Sequence, residues 1–281
     1  MSKVLNGIDV STYQGVIDWT KAKNKIDFAV LRVGYGSDIK SQDDARFERN
    51  ATECERLNIP FAVYLYSYAT TEAMIDSEVT HTLRVIGKHK PFCVYIDMED
   101  NSTVGLGKSR LTAFAKRFCE AVKSKGFKAG VYANQNWFQN YLDVKALYNC
   151  GYSIWCAKYA DSKPNIAAPY DIWQYSSTGK VDGISGNVDM NYMYNDICNG
   201  DKKTTSDVVC NVNVKVLRYG AKGNSVKALQ FLLNGYGYKF VPDGIFGNKT
   251  LAAVQDFQKK SGIGVDGIVG VKTWGKLLGT N

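Results

Sequence analysis

The sequence predicts an α/β chain: an irregular (β/α) barrel over residues 1–199, a linker at 200–213 and a small all-α domain of three helices over 214–281. Three observations carry that reading. Eight apolar, β-branched or aromatic runs recur through the first 199 residues, several of them separated by helical patterns. Nine polar or small residues in a row at 199–207 then break the texture, as linkers do. Beyond the break, Asp-Gly-Ile-x-Gly-x-Lys-Thr occurs twice, at Asp243 and again 23 residues later at Asp266. A length of 281 residues fits about two domains at roughly 150 residues each.

The eight expected strands are 4–11, 28–36, 60–68, 92–99, 128–134, 153–160, 170–176 and 188–193. Runs such as Phe28-Ala29-Val30-Leu31 are apolar on both alternating faces, which is the pattern of a parallel strand covered by helices on one side and a core on the other. Helices are expected at 45–58, 73–90 and 109–125. The last places Leu111, Phe114, Ala115, Phe118, Ala121 and Val122 on one face, with Ser109 as its N-cap and Gly126 beyond its end. The later strands come without clear helices between them, so the barrel is expected to be irregular. In such folds chemistry collects at the carboxyl ends of the strands.

Composition excludes several classes. No apolar run approaches the ~20 residues of a membrane span. The seven cysteines (Cys54, Cys93, Cys119, Cys150, Cys156, Cys198, Cys210) contain no C-x-x-C spacing and are an odd number, so they read as free thiols of a reducing compartment. The only two histidines, His81 and His89, both fall in the 73–90 helix and are expected at the surface. Without another histidine, serine-triad, Cys-His and His-ligated zinc hydrolases are discounted, and no metal or cofactor is expected. The net charge of +8 is uneven: residues 214–281 hold ten basic and three acidic groups, a local +7, and the first 199 residues are near neutral. A basic module is soluble and is suited to an anionic partner.

The carboxyl ends carry acids and aromatics. The fourth strand closes as Tyr95-Ile96-Asp97-Met98-Glu99-Asp100, and alternation puts Asp97 and Glu99 on one face about 6.6 Å apart between Cα atoms. The first strand ends in Asp9 and the last contains Asp189. Each Asp could merely cap a turn. Clustered, they raise one another's pKa, and a protonated acid beside an ionised partner is what breaking a glycosidic bond requires. Tyr35, Tyr64, Tyr66, Tyr68, Tyr132, Trp155, Tyr159, Trp173 and Tyr175 lie in or beside the strands, where rings fill barrels and can also stack on sugars.

Six blocks in order, Gly7-Ile8-Asp9-Val10-Ser11 with Gln14-Gly15 and Ile17-Asp18-Trp19, Leu31 to Gly36, Tyr95 to Glu99, Gly130-Val131-Tyr132, Ile172 to Ser176, and Val188 to Asn191, resemble the glycoside hydrolase family 25 muramidases, the Chalaropsis-type lysozymes. The resemblance spans residues 4 to about 195. It implies an irregular TIM-like barrel that hydrolyses the β-1,4 bond between N-acetylmuramic acid and N-acetylglucosamine of peptidoglycan. It also implies Glu99 as general acid, supported by Asp97, Asp9 and Asp189. Tyr35, Tyr64, Tyr66, Tyr132, Trp155 and Gln174 are the candidate sugar contacts, three of which (Tyr64, Tyr132, Gln174) match family positions. Leu65 departs from the polar or histidine residue many members carry. A chitinase-type barrel would want Asp at 92 and 95, where this chain has Phe92 and Tyr95; a non-catalytic wall lectin would not need both Asp97 and Glu99.

In the second domain, helices are expected at 225–234, capped by Asn224 with Val226, Leu229, Phe231, Leu232 and Leu233 as core, at 249–260 and at 272–278. Leu217-Arg218-Tyr219-Gly220, Val226 to Gln230, Asp243 to Gly247 and Val254 to Gln258 resemble the peptidoglycan-binding type 1 domain over 214–279. Partners are therefore expected to be bacterial peptidoglycan and anionic wall polymers; nucleic acid and membrane insertion are not expected. The N-terminus reaches Asp9 before an apolar signal core forms. The expectation is a phage endolysin made in a host cytoplasm and released to the wall by a holin, or an autolysin exported by a route without a signal.

Overall fold

A computed structural model describes residues 4–198 and 216–278 and divides into two compact units, residues 1–204 and 205–281. The whole of the expected linker, 200–213 with Cys210, lies outside the described residues.

The first unit runs β1 (Leu5–Val10), α1 (Trp19–Ala22), β2 (Phe28–Tyr35), α2 (Phe47–Arg56), β3 (Phe61–Tyr66), α3 (Glu72–Ile86), β4 (Val94–Asp97), α4 (Lys108–Ser124), β5 (Ala129–Asn134), α5 (Gln135–Asn140), α6 (Val144–Asn149), β6 (Ser153–Ala157), β7 (Ile172–Gly179) and β8 (Val188–Met193). The eight strands close a barrel in sequence order. β1 to β7 are parallel, each to its neighbours, whereas β8 runs antiparallel to both β7 and β1. Only residues 180–187 separate β7 from β8. That is too short for a crossover, so the chain turns straight back.

Alternation sorts the strand residues into two layers, as the apolar runs predicted. Ile8, Ala29, Leu31, Val63, Leu65, Val94, Ile96 and Val131 face the helices. Phe28, Val30, Ala62, Tyr95, Tyr132, Trp155 and Ile172 fill the barrel. The filling is tight enough to demand glycine on two strands: a Cβ on Gly7 would lie 2.4 Å from the Phe28 ring, and one on Gly130 would lie 2.3 Å from the Tyr95 ring. Below about 3 Å no such contact survives without displacement of the ring or the backbone.

Three local expectations need correction. α4 starts one residue early with Gly107 at its N-cap, so Ser109 lies within the first turn and caps nothing. The first helix of the second unit likewise begins at Asn224 behind Gly223, with no side-chain cap. Both histidines are buried, His81 at 0% and His89 at 2% exposure. His81 sits 2.9 Å from Gly36 O and 3.0 Å from Asp43 Oδ1, and His89 is 3.0 Å from Glu48 Oε2 and from Glu55 Oε2. Their acidic partners come from other elements, so the spacing along one helix could not reveal them.

The second unit contains α7 (Asn224–Gly235), α8 (Asn248–Lys260) and α9 (Val271–Leu277), packed on Leu217, Val226, Leu229, Leu233, Phe246, Val254, Phe257, Val269, Trp274 and Leu277. Phe231, expected in this core, is 64% exposed because it lies on the outer face of α7. The sequence repeat is a structural repeat. Gln230 Nε2 donates to Asp243 Oδ1, Ile245 O and Thr250 Oγ1, while its Oε1 accepts from Gly244 N. Gln258 does the same with Asp266, Ile268, Thr273 and Gly267. Gly244 and Gly267 adopt φ of 75° and 70°, the left-handed region that a side chain would strain.

Candidate active site

Asp9 projects inward from the end of β1, Asp97 from the end of β4, and Glu99 from the loop two residues on. β8 supplies its acid from its beginning: because it is antiparallel, Asp189 stands opposite Asp9 in register. All four acids line one cavity of about 170 Å³, together with Ser11, Tyr13, Gln14, Arg32, Tyr64 and Tyr66. A larger depression, about 910 Å³, lies between the loop after β2 and α3, but its charges are already paired, Arg84 with Asp38 and Asp43. The smaller groove is therefore the candidate site.

Crowding and burial shift every acid the same way. Burial raises the Asp97 carboxyl well above the usual range, with Glu99 and Asp9 adding to the rise and Arg32 opposing it. Burial also raises Glu99, opposed by the Asn134 amide and reinforced by Asp189. Burial raises both Asp9 and Asp189, the charge of Asp189 raises Asp9 further, and the Asn191 and Gln174 amides draw Asp9 back. The groove therefore holds protons at pH values where exposed carboxylates have lost theirs. Asp97 Oδ1 is buried without a hydrogen-bond partner.

The aromatic and amide candidates divide into two groups. Tyr64 and Tyr66 line the groove, and Tyr66 OH donates to Asp100 Oδ2 at 3.2 Å. Tyr132, Gln174 and Trp155 are buried behind it at 5%, 3% and 1% exposure. Tyr132 OH and Tyr159 OH both donate to Gln174 Oε1, and Gln174 Nε2 donates to Asp9 Oδ2 at 2.8 Å. Trp155, expected as a sugar contact, instead packs its ring against Tyr64, Tyr95 and Tyr132 and donates Nε1 to Asn191 Oδ1 at 2.8 Å. It lies within the filled core of the barrel. Tyr35, also expected to touch sugar, does not line the groove; its ring packs against Tyr68 at 6.4 Å. Leu65 faces the helical layer, so its departure from the family pattern leaves the groove untouched.

Four groups were given no role by the sequence. Asn191 donates to Asp9 Oδ2 at 2.8 Å, Asn134 approaches Glu99 Oε2 at 3.5 Å, and Arg32 pairs with Asp44 at 2.8 Å while its guanidinium lies 4.9 Å from the Tyr13 ring centre. Tyr13 is 82% exposed on the rim, in a turn held by the reciprocal bonds of Ser11 and Gln14. The signal for three of them was period two: Asn191 follows Asp189, Asn134 follows Tyr132, and Arg32 follows Val30 on the same face.

Comparison with known proteins bears on both units. The model of the glycosyl hydrolases family 25 matches residues 8–184, and that of a peptidoglycan binding domain matches residues 222–277. The autolytic lysozyme of Clostridium acetobutylicum is 30% identical over 277 residues, covering 96% of this chain and 78% of its own. Among solved structures, the catalytic domain of endolysin ply40 from bacteriophage P40 of Listeria monocytogenes aligns with TM-score 0.58 and 25% identity over 71% of this chain and 97% of that one. The modular autolysin LytC of Streptococcus pneumoniae, solved with a synthetic peptidoglycan ligand, aligns with TM-score 0.60 and 24% identity over 69% of this chain and 48% of that one.

Proposed function

The chain belongs to family 25 of the glycosyl hydrolases and is a muramidase of peptidoglycan; from that premise we propose that it cleaves the β-1,4 bond between N-acetylmuramic acid and N-acetylglucosamine with Glu99 as general acid. The observation that carries the reading is the convergence of Asp9, Asp97, Glu99 and Asp189 in one groove.

Glu99 is the half-buried acid whose pKa is raised chiefly by burial and which the Asn134 amide approaches at 3.5 Å. The upward shift favours the protonated form, which can give its proton to the leaving glycosidic oxygen. Negative charge beneath the sugar ring then supports the oxocarbenium-like transition state. Asp97 is placed to do more: its unpartnered Oδ1 is an acceptor awaiting a donor, and the N–H of a substrate acetamido group is one. That contact would ionise Asp97 and turn the acetamido oxygen toward the anomeric carbon, making the substrate its own nucleophile. Tyr64 and Tyr66 offer ring faces to the glycan from within the groove and Tyr13 from its rim.

The reading is tested by release of reducing ends from purified Gram-positive walls. The wild-type chain should release them, with N-acetylmuramic acid at the new reducing terminus; walls that are bound with no new reducing ends would leave a lectin. The site of action we propose is the host wall, reached from the cytoplasm through a holin. The likeness to a bacteriophage endolysin domain and the six described cysteines, all unpaired, support it. Expression in a wall-bearing host should cause lysis only once the membrane is permeabilised, and lysis without permeabilisation would point to export by another route.

A further inference from the structure

Behind the groove, five side chains form two branches that end on a single oxygen. In one, Trp155 Nε1 donates to Asn191 Oδ1 at 2.8 Å, and Asn191 Nδ2 donates to Asp9 Oδ2 at 2.8 Å. In the other, Tyr132 OH and Tyr159 OH donate to Gln174 Oε1 at 2.9 and 3.0 Å, and Gln174 Nε2 donates to the same Asp9 Oδ2 at 2.8 Å. Asp9, Gln174 and Asn191 are 4%, 3% and 0% exposed, so water does not compete for these bonds.

The chemistry of the donors fixes the direction of each bond. An indole N–H donates and never accepts, so Asn191 must turn its oxygen to Trp155 and its NH2 to Asp9. Asp9 Oδ2 thus receives two amide N–H groups, which occupy both of its lone pairs. A proton cannot join that oxygen without expelling one of the amides. Asp189 stands opposite Asp9 in register and lines the same cavity. Any proton that Asp9 takes up is therefore left to Oδ1, the oxygen that neither amide occupies.

We propose that Asn191, locked by Trp155, and Gln174, held by Tyr132 and Tyr159, form an amide clamp that keeps Asp9 Oδ2 as a permanent acceptor and confines to Oδ1 any proton that Asp9 takes up beside Asp189. The proposal rests on the reading that these acids serve the hydrolytic reaction. Asn191, Gln174 and Trp155 are then positioning residues: they touch no sugar, but they set the charge that the Asp9–Asp189 pair presents under it. With one proton the pair carries a single negative charge. Without the clamp, the pair would take up its second proton more readily and present none.

The direction of the effect on pH follows. Asp9 shares its cavity with Asp189 of β8, Asp97 of β4, Glu99 beyond it, Arg32 of β2 and Tyr64 of β3, while Tyr132 of β5 and Tyr159 beyond β6 reach it through Gln174. The bonds from Asn191 and Gln174 stabilise its anion and draw its titration down against burial. Losing either bond raises the pH at which the pair gains its second proton, so the acid limb of the pH–rate profile moves up.

The experiment is the pH profile of wall hydrolysis by the full chain and by Asn191→Leu, Gln174→Met and Trp155→Phe, each checked for cooperative melting. A hydrogen bond to a charged group corresponds to roughly one pH unit, so Asn191→Leu and Gln174→Met should each move the acid limb up by about one unit. Trp155→Phe keeps the packed ring but frees the Asn191 amide to turn, and should move the limb in the same direction by less. Unmoved acid limbs in folded variants, with rates lowered equally at every pH, would overturn the clamp and leave only packing. If Asn191→Leu does not fold, Gln174→Met and Trp155→Phe decide. Wild type and Glu99→Gln serve as controls for the underlying reading. An inactive wild type, or an active Glu99→Gln, breaks the assignment of the groove; sound controls with unmoved limbs break the clamp alone.

Discussion

The barrel and the small module bury polar side chains to opposite ends. In the module, Gln230 and Gln258 each satisfy three acceptors and one donor, so that nothing polar is left over and two glycine turns are tied to the helices that precede and follow them. In the barrel, like-charged carboxyl groups are held together, and Asp97 Oδ1 in the groove, like Glu78 Oε1 outside it, is buried without a partner among the described residues. Complete satisfaction specifies a fold where the apolar core is small. Incomplete satisfaction stores a demand that a substrate can meet. The same physical cost of removing polar atoms from water thus builds structure in one unit and reactivity in the other.

The largest effect that sharpens this contrast is expected of Glu99→Gln. Loss of a general acid removes roughly 10²- to 10⁴-fold of rate, and wall sedimentation should show binding unchanged, since the module is untouched; near-normal turnover would dismiss Glu99 from the role. Next comes the module. Gln230→Ala or Gln258→Ala leaves the buried Gly244 or Gly267 N–H without its partner, at about 1–3 kcal/mol. Calorimetry should lose or lower a module transition while the barrel transition and small-oligosaccharide turnover stay in place; an unchanged module transition would mean the knots hold nothing together.

A smaller change is expected of Asp43→Asn. Arg84 and then Lys40 hold this carboxyl below the usual aspartate range, so its folded pKa is depressed. Its stabilising effect is then complete above the unfolded pKa and fades as pH falls through the folded one. The variant should melt lower than wild type at pH 7, and the gap should close in strong acid; a gap that is constant with pH would assign the loss to packing around His81. Smallest of all is the effect of salt. We expect wall affinity of the inactive Glu99→Gln chain to fall a few-fold between low and physiological ionic strength, because the +7 of residues 214–281 is screened. Affinity indifferent to salt would return that charge to solubility and leave recognition to shape.

How much of this the sequence made legible depended on whether the signal was periodic. Strand alternation placed Asp97 beside Glu99 and foretold two buried layers, and the repeat at Asp243 and Asp266 foretold two like turns. What alternation cannot give is depth. Trp155 and Tyr64 both point inward, but one sits below the floor of the groove and the other in it, because strand tilt and register set height along the axis. It also cannot give partners from distant elements. His81 and His89 looked like surface residues because Asp43, Glu48 and Glu55 lie outside their own segment. The antiparallel return of β8 escaped notice too: its residues suit a strand in either direction, and only the shortness of 180–187 argues for a hairpin.

That last strand has a consequence in time. Asp9 is made near the start of the chain, yet its hydrogen-bond partners Gln174 and Asn191 follow it by 165 and 182 residues. Contacts so distant in sequence close late in folding. A nascent or truncated barrel lacking β8 has no Asp189, no Asn191 and no sealed wall behind Asp9. Assembly of the catalytic groove and completion of the barrel are one event, and an enzyme destined to destroy a wall is inert until its own is finished.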